Sequence, residues 1–538
     1  MNKLCEACAE MKSYMSKQLL LMAVLLLTVA CSQSPEDAVD VDELPRIYPD
    51  YVGVTIPVVI APLNFSMADD GVTAIDVEVR GSRGGTIHAY DDGDYKSPPT
   101  DYKSPPTDYK SPPTDYKSPP TADFDIDEWH RLLADNRGDS LTVTVCAEKD
   151  GRWTRYRDFA IHVSRDSIGA WGITYRLIPP GYEMYGQMGL YQRCLANFDE
   201  SALLTNAFDI GTCLNCHTPN ATNPDQYVFH ARGSHGGTVI WNAKGKAKSD
   251  GLDVLQSKND SLGGAMVYPC WHPGGRYIAF STNKTSQMFH LSGKKRIEVY
   301  DSSSDVFVYD LENHTILQDT LIMKKLWAEN TPAFSPDGQW LYFTTARRQV
   351  YPTDYDKERY SLCRVSFDET TGSIGQTVDT LVSTDRTGKS VTWPRPSYDG
   401  RYLMYTQADY GYFSIWHPEA DLWLLDLRTG KTRPLDELNS ERAESLHSWS
   451  ANSRWFLFTS RRDDGLYTRV YFASIDEHGC ATKPFMLPQR NPKVYYRRLL
   501  DSYNTPDFCL RPVTTDTSIV ISRLKSGERI ATTLGKGN

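Results

Sequence analysis

The sequence predicts an all-β protein whose C-terminal half is a β-propeller and whose N-terminal half contains a small β-sandwich-like domain. A strand-turn-strand unit recurs along the second half of the chain, and the first half shows short runs with period-2 alternation. Aromatic residues make up 12% of the chain, which suits twisted β-sheets better than a helical bundle. At 538 residues the chain is long enough for two or three domains.

The N-terminus has the features of an export signal. Lys12 and Lys17 precede an apolar run, Leu19–Leu27, which is shorter than the ~20 residues of a membrane-spanning helix. Cys31 follows Thr-Val-Ala, which resembles the lipobox of bacterial lipoproteins. We therefore predict that residues 1–31 are a lipoprotein signal and that Cys31 carries lipid, with a plain secretory signal as the alternative. The protein is then anchored in the bacterial envelope, at the outer membrane, on its periplasmic or surface side.

The region that follows the signal divides into a tether and a domain. Residues 32–47 are acidic and polar, as expected for a solvated tether. Residues 48–165 contain alternating runs that predict a β-sandwich of immunoglobulin or fibronectin type. Within it, residues 94–121 are four copies of Asp-Tyr-Lys-Ser-Pro-Pro-Thr, which predict an extended polyproline II arm in an exposed loop. We interpret the arm as a repeat expansion in a tolerant loop, with a ligand for a proline-binding partner as the alternative.

The net charge of −10 argues against nucleic acid as a partner, because binding to phosphates requires a basic surface.

The repeats begin after residue 235. Four copies start at Trp271, Phe334, Pro396 and Trp449, and successive copies lie 63, 62 and 53 residues apart. Each copy has a short strand, a turn centred on Asp-Gly or an equivalent, and an alternating aromatic strand. Such periods are typical of propeller blades. The span 236–513 has room for about six blades, of which the first and last must be degenerate, and residues 514–538 are expected to be a tail.

The strongest chemical signal lies in residues 166–235, which we expect to be a connector. Cys213 and Cys216 are separated by two residues, and His217 follows directly. This pattern predicts one c-type haem, with thioethers at both cysteines and His217 as the proximal iron ligand. The alternatives are a zinc site completed by His230 or His235 and a Cys213–Cys216 disulfide.

The second axial ligand is less defined by sequence. A turn-rich segment separates His217 from His230, so we expect it to fold His230 over the opposite haem face, with Arg232 near a propionate. Four other residues are alternative ligands: His235, Met288, His290 and His272.

The layout resembles two groups of proteins. Ser-Pro-Asp-Gly followed by an aromatic strand resembles the blade signature of TolB-like propellers, which have six blades. From about Tyr48 to Val513 the chain is also similar to Gram-negative lipoproteins often labelled cytochrome c biosynthesis proteins. That similarity is carried by residues 61–65, 175–180, 213–217, 229–232, 421–426 and 448–455. It implies a haem-bearing segment joined to a propeller.

Together these observations predict a membrane-anchored, mono-haem cytochrome that acts in electron transfer or redox sensing. Its propeller is then a docking platform for an envelope protein. The alternative is a non-catalytic propeller that binds envelope proteins or glycans and carries a structural haem. No catalytic residue is assigned, and a propeller-containing peptidase is excluded because the chain has no Gly-x-Ser-x-Gly motif.

Overall fold

The computed structural model describes residues 35, 37–93, 118–180, 186–242, 251–256, 265–290, 293 and 295–535. The predicted lipid-bearing Cys31 and residues 94–117 of the heptapeptide arm lie outside the described residues. Among the described residues, no helix is long and apolar enough to cross a membrane.

The N-terminal domain contains two sheets and one helix. Its strands are β1 (Val39–Asp40), β2 (Ile47–Tyr48), β3 (Thr55–Ile56), β4 (Phe65–Met67), β5 (Val72–Gly81), β6 (Thr86–Asp91), β7 (Thr121–Ala122), β8 (Ser140–Lys149), β9 (Arg152–Arg155) and β10 (Phe159–Val163). The larger sheet has the order β1-β9-β8-β10-β3, with β5 pairing with β6 and β8, and the smaller has the order β2-β4-β7. Helix α1 (Ile126–Asp135) begins at Asp125, whose carboxylate accepts hydrogen bonds from the backbone of Asp127 and Glu128.

This domain differs in detail from the sandwich predicted for residues 48–165. Strands β1 and β9 are parallel, as are β10 and β3, whereas an immunoglobulin sandwich is built from antiparallel sheets. Helix α1 packs Trp129, Leu132 and Leu133 into the core.

The rest of the chain forms six blade sheets, which we number by the chain order of their innermost strands. Blade 6 contains β11 (Gly172–Ile178), β12 (Gly189–Cys194) and β13 (Glu200–Thr205), and blade 1 contains β14 (Cys213–Asn220), β15 (Asn223–Arg232), β16 (Gly237–Asn242) and β17 (Leu252–Leu255). Blade 2 contains β18 (Ala265–Trp271), β19 (Tyr277–Phe289), β20 (Ile297–Asp310) and β21 (Thr315–Leu317), and blade 3 contains β22 (Trp327–Phe334), β23 (Trp340–Arg347), β24 (Ser361–Asp368), β25 (Ser373–Ile374) and β26 (Asp379–Val382).

The remaining blades follow the same plan. Blade 4 contains β27 (Ser390–Pro396), β28 (Tyr402–Ala408), β29 (Asp421–Asp426) and β30 (Thr432–Pro434), and blade 5 contains β31 (Glu444–Trp449), β32 (Trp455–Ser460), β33 (Arg469–Ser474) and β34 (Phe485–Met486). Strand β35 (Ser502–Cys509) completes blade 6, and β36 (Thr533–Leu534) pairs with β21. The other helices are α2 (Thr384–Thr387), α3 (Pro492–Arg498) and α4 (Thr517–Ser526).

The innermost strands of the six blades form a closed ring. They contact one another in the order β14, β18, β22, β27, β31 and β35, and β35 contacts β14 again. Blade 6 has the strand order β13-β12-β11-β35, so its inner strand comes from the C-terminal part of the chain. This pairing joins two segments about 330 residues apart in sequence and closes the propeller.

The propeller therefore begins earlier than the sequence suggests. The segment 166–235 is not a connector, because β11 to β13 belong to blade 6 and β14 and β15 to blade 1. The predicted tail, 514–538, is not a free tail either. In it, α4 buries Val520 and Leu524, and β36 extends the sheet of blade 2.

The N-terminal domain packs on the propeller through a shared apolar core. Ile56 and Trp129 of the domain belong to the same buried cluster as Trp455 and Phe472 of blade 5. The ammonium of Lys493 on α3 is buried and donates to the carbonyl oxygens of Met67 and Ala68, each at 3.1 Å.

The closing strand β35 should carry a large share of the stability of the ring. Phe508 in β35 is fully buried and its ring lies 6.1 Å from that of Phe472. We expect Phe508→Ala to lower the free energy of unfolding by about 3–5 kcal/mol, because it leaves a cavity. Leu510→Ala, two residues on and 44% exposed, is the matched control and should change it by less than about 1 kcal/mol. Urea unfolding of both variants measures the two losses in the free energy of unfolding. Equal losses would contradict the role of β35 as the strand that stabilises the closed ring.

Candidate functional site

Each inner strand carries one residue in the left-handed backbone region. These residues are Cys216 (φ 51°), Tyr268 (51°), Thr331 (44°), Trp393 (55°), Leu446 (50°) and Thr505 (43°). Each coincides with a shift in the register between the inner strand and the next strand of its blade. Such bulges re-aim the side chains that follow them. Since left-handed φ is costly for non-glycine residues, its recurrence in all six blades marks it as part of the blade design.

Two residues after each bulge, the six blades place one side chain each around the mouth of the central channel. We call these residues the mouth ring: Thr218, Cys270, Ala333, Arg395, Ser448 and Asp507. All six line one cavity of about 180 Å³, at the end of the channel where the strand-turn-strand turns lie.

The mouth ring contains one carboxylate and one guanidinium. Asp507 is buried and accepts hydrogen bonds from the hydroxyl of Thr218, at 2.8 Å, and from the hydroxyl of Ser448. Burial raises the pKa of Asp507, although Arg395 and both hydroxyls oppose that shift. Arg395 is half-buried, and in the described part of the chain its guanidinium has no side-chain hydrogen bond or ion pair. It is therefore available to an anionic ligand.

Aromatic side chains form the walls around this charged pair. The indole nitrogen of Trp449 donates to the carbonyl oxygen of Arg395 at 3.0 Å, and that of Trp271 donates to the carbonyl oxygen of Thr218 at 3.3 Å. These bonds fix the orientation of both rings, and Phe334 and Tyr398 complete the apolar lining. The cavity thus combines rigid apolar walls with a small number of polar groups, as ligand sites do.

The predicted haem motif lies on the inner strand of blade 1. Cys216 is the bulge residue and His217 follows it, so both line a small cavity inside the channel. His217 is buried, its Nδ1 lies 3.5 Å from the hydroxyl of Thr505, and its Nε2 makes no hydrogen bond within the described part of the chain. Burial lowers the pKa of His217 to about 3.

The two cysteines lie beside arginines. The Nη2 of Arg176 is 3.3 Å from the Sγ of Cys213, and burial raises the pKa of Cys216 despite the nearby guanidinium groups of Arg232 and Arg176.

His230 and Arg232 occupy the second strand of blade 1. The segment predicted to be a loop is a hairpin between β14 and β15, in which His230 is opposite Asn215 and Arg232 is opposite Cys213. The Nδ1 of His230 lies 3.0 Å from the hydroxyl of Thr238 on β16. The predicted placement of His230 over His217 by a folded-back loop is therefore wrong, because the residues between them continue the sheet.

The cavity beside Cys216 and His217 measures about 30 Å³. Pockets for drug-sized ligands span about 300–1,000 Å³, at least about ten times as much. The residues of the motif therefore do not fit a haem in this fold. For the zinc alternative, no group of three or more His, Cys, Asp or Glu side chains among the described residues is arranged to hold a metal ion. Cys213 and Cys216 are both free thiols, so the disulfide alternative is not formed either.

The other histidines proposed as iron ligands are distributed through the propeller. His272 accepts a bond from the backbone of Gly274 and lies 3.2 Å from the carbonyl oxygen of Gly338, so it is a turn residue. His235 lies 3.7 Å from a carboxylate oxygen of Asp209. His290 lines a cleft formed by loops at the other end of the propeller.

This cleft, of about 620 Å³, is lined by a network of ionisable groups. The carboxylate of Glu298 accepts a hydrogen bond from Tyr410 at 2.6 Å and lies 2.9 Å from the Nε2 of His417. Burial opposes the ionisation of Glu298, but these two groups outweigh it and hold its pKa below the usual value. Lys295 pairs with Glu419 at 2.6 Å. These contacts hold Glu298 and Glu419 to partners in the loops, which makes the network a stabilising element of the loops.

Arg395 and Asp507 match none of the motifs found in the sequence. The signal that locates them is the dipeptide formed by a bulge residue and proline, such as Trp393-Pro394 and Thr505-Pro506. Aligning the inner strands on that dipeptide places the mouth ring two residues after each bulge.

The topology and the channel define the class of protein: a closed, six-bladed β-propeller with a cavity of about 180 Å³ at the channel mouth. No protein-family model matches the chain, and no curated protein does so. Among solved structures, TolB from Acinetobacter baumannii matches with a TM-score of 0.40 and 11% identity, covering 72% of this chain and 85% of that one. A puromycin-hydrolyzing peptidase from Mycobacterium tuberculosis matches with a TM-score of 0.33 and 11% identity, covering 66% and 52%. A putative 6-phosphogluconolactonase from Bacteroides fragilis matches with a TM-score of 0.28 and 9% identity, covering 60% and 97%. At these TM-scores, the fold assignment rests on the strand order of this chain.

A second histidine at a bulge makes folding sensitive to acid. His447 is buried, and burial lowers its pKa to about 3, whereas an unfolded histidine titrates near 6.5. The stability of the folded state with neutral His447 is therefore fully present above about pH 6.5. It is lost as the pH falls from about 6.5 towards 3, because the unfolded state then binds a proton that the folded state does not bind. Between about pH 7.5 and about pH 5 we expect a loss of about 2 kcal/mol from this group.

His447→Pro should remove that part of the pH dependence, as measured by urea unfolding at both pH values. His478→Gln is the control, because the side chain of His478 is 77% exposed. An unchanged pH dependence in His447→Pro would contradict the assignment.

Proposed function

We propose that this protein is a non-catalytic docking protein of the bacterial cell envelope, held at the membrane by lipid on Cys31. Its propeller binds a segment of a partner protein at the channel mouth. The proposal is carried by one observation: among the described residues, no side chain makes a hydrogen bond or ion pair with the half-buried Arg395 guanidinium, which lies in a cavity with aromatic walls.

The chemistry of the mouth ring favours a carboxylate as the group that enters. A guanidinium binds a carboxylate with two parallel hydrogen bonds, and such bonds strengthen where water is excluded. The carboxylate of Asp507 accepts hydrogen bonds from Thr218 and Ser448 and attracts Arg395 without a hydrogen bond, so the guanidinium donors of Arg395 are the groups that can bind an entering carboxylate. A side-chain or C-terminal carboxylate of the partner is the matching group.

The location in the envelope rests on the N-terminal sequence. The basic residues, the apolar run Leu19–Leu27 and Cys31 support export and lipidation. The tether predicted for residues 32–47 is shorter than expected, because β1 (Val39–Asp40) pairs with β9 and Ile47 is buried in the domain core, so the folded domain begins within about ten residues of Cys31.

Electron transfer through haem c stays a prediction of the sequence motif alone. The spacing of Cys213, Cys216 and His217 supports it, and the 30 Å³ cavity at His217 argues against it. For this reason the docking function is the one proposed.

Peptide binding tests the docking function. The probes are acetylated tetrapeptides with an aromatic residue and either a free C-terminal carboxylate or a C-terminal amide, titrated by calorimetry. We expect the carboxylate form to bind and the amide to bind at least about tenfold more weakly, a loss of about 1.4 kcal/mol. Arg395→Gln should abolish the difference between the two peptides.

Arg428→Gln is the matched control, because it removes the same charge from an exposed turn that does not line the cavity. It should leave the preference for the carboxylate intact. Equal binding of the two peptides to the unmodified protein, or an equal effect of both substitutions, would refute the site.

A further inference from the structure

We infer that Cys213, Cys216 and His217 are the first-blade copy of the inner-strand bulge and that both thiols stay free of haem. The inference concerns residues that the proposed docking function does not use.

The first argument is positional. Cys216 has the same left-handed backbone as the bulge residues of the other five blades, and it lies at the same break in the strand pairing. The residue after the bulge is proline in four blades, namely Pro269, Pro332, Pro394 and Pro506, and histidine in the other two. His217 thus occupies a position that the fold requires in every blade.

The second argument is an internal control. His447 follows the bulge of blade 5, and no cysteine precedes it in Glu444–Leu446. Like His217 it is buried, has a pKa lowered to about 3 and has one ring nitrogen that bonds to none of the residues the structure describes. Its other ring nitrogen contacts the carbonyl oxygen of Met404 in the neighbouring blade, at 3.0 Å. A histidine can therefore follow a bulge and pack between two blades without the two cysteines that haem attachment needs.

The third argument concerns the cysteines themselves. Cys213 is the first residue of β14 and lies 3.3 Å from Arg176 of blade 6, so its sulfur is part of the contact between these blades. Cys216 lines the 30 Å³ cavity, which has no room for a porphyrin beside the sulfur. Attachment at both sulfurs would require β14 to leave the ring of inner strands.

Mass spectrometry of the exported full-length protein tests the inference. The protein is produced in cells with haem-attachment machinery, in which a co-expressed c-type cytochrome is fully loaded. We expect the denatured protein to carry no added haem, to give no pyridine haemochrome spectrum and to have alkylatable thiols at both positions 213 and 216. Covalent haem on Cys213 and Cys216 would overturn the inference.

Paired proline variants give an independent readout. Because proline follows the bulge in four blades, His217→Pro and His447→Pro should each retain a cooperative thermal transition, with similar shifts in Tm. A special role of His217 in the protein would instead make His217→Pro lose the folded state while His447→Pro keeps it, and that result would contradict the inference.

Discussion

The pairing of β35 with β11 is the contact on which the rest of the propeller depends. It brings Ser502–Cys509 against Gly172–Ile178 and makes the last inner strand a neighbour of the first. Without it, the inner edge of β11 would have unpaired backbone groups and β14 would lose a neighbour in the ring. The mouth ring would also lack Asp507. The closed ring also fixes the distance between Arg395 and Asp507, since each is held by its own blade.

Much of the propeller could be predicted from sequence because blades 2 to 5 repeat a local pattern. Four residues, Trp271, Phe334, Pro396 and Trp449, each end an inner strand. A turn signal and an alternating aromatic strand follow each of them in the sequence. Blades 1 and 6 were missed for different physical reasons. In blade 1 the turn between β14 and β15 consists of Asn220 to Asn223 and has no Asp-Gly. In blade 6 the strands come from opposite ends of the chain, a long-range pairing that no local pattern records.

The candidate site shows the limits of motif reading. Cys213, Cys216 and His217 match a haem signature in spacing, but spacing does not reveal whether a segment is a loop or the inner strand of a sheet. Arg395 and Asp507 have no signature at all. They lie 112 positions apart and meet only because a bulge in each of two blades directs them to the same channel mouth.

The split construction of blade 6 has a consequence for biogenesis. Synthesis runs from the N-terminus, so β11 to β13 are made first and must wait for nearly the whole propeller before their fourth strand is available. During that interval the inner edge of β11 exposes unpaired backbone groups that can pair with other chains. The inner edge of β11 is therefore the part of the unfinished propeller where pairing with a second chain competes with native closure.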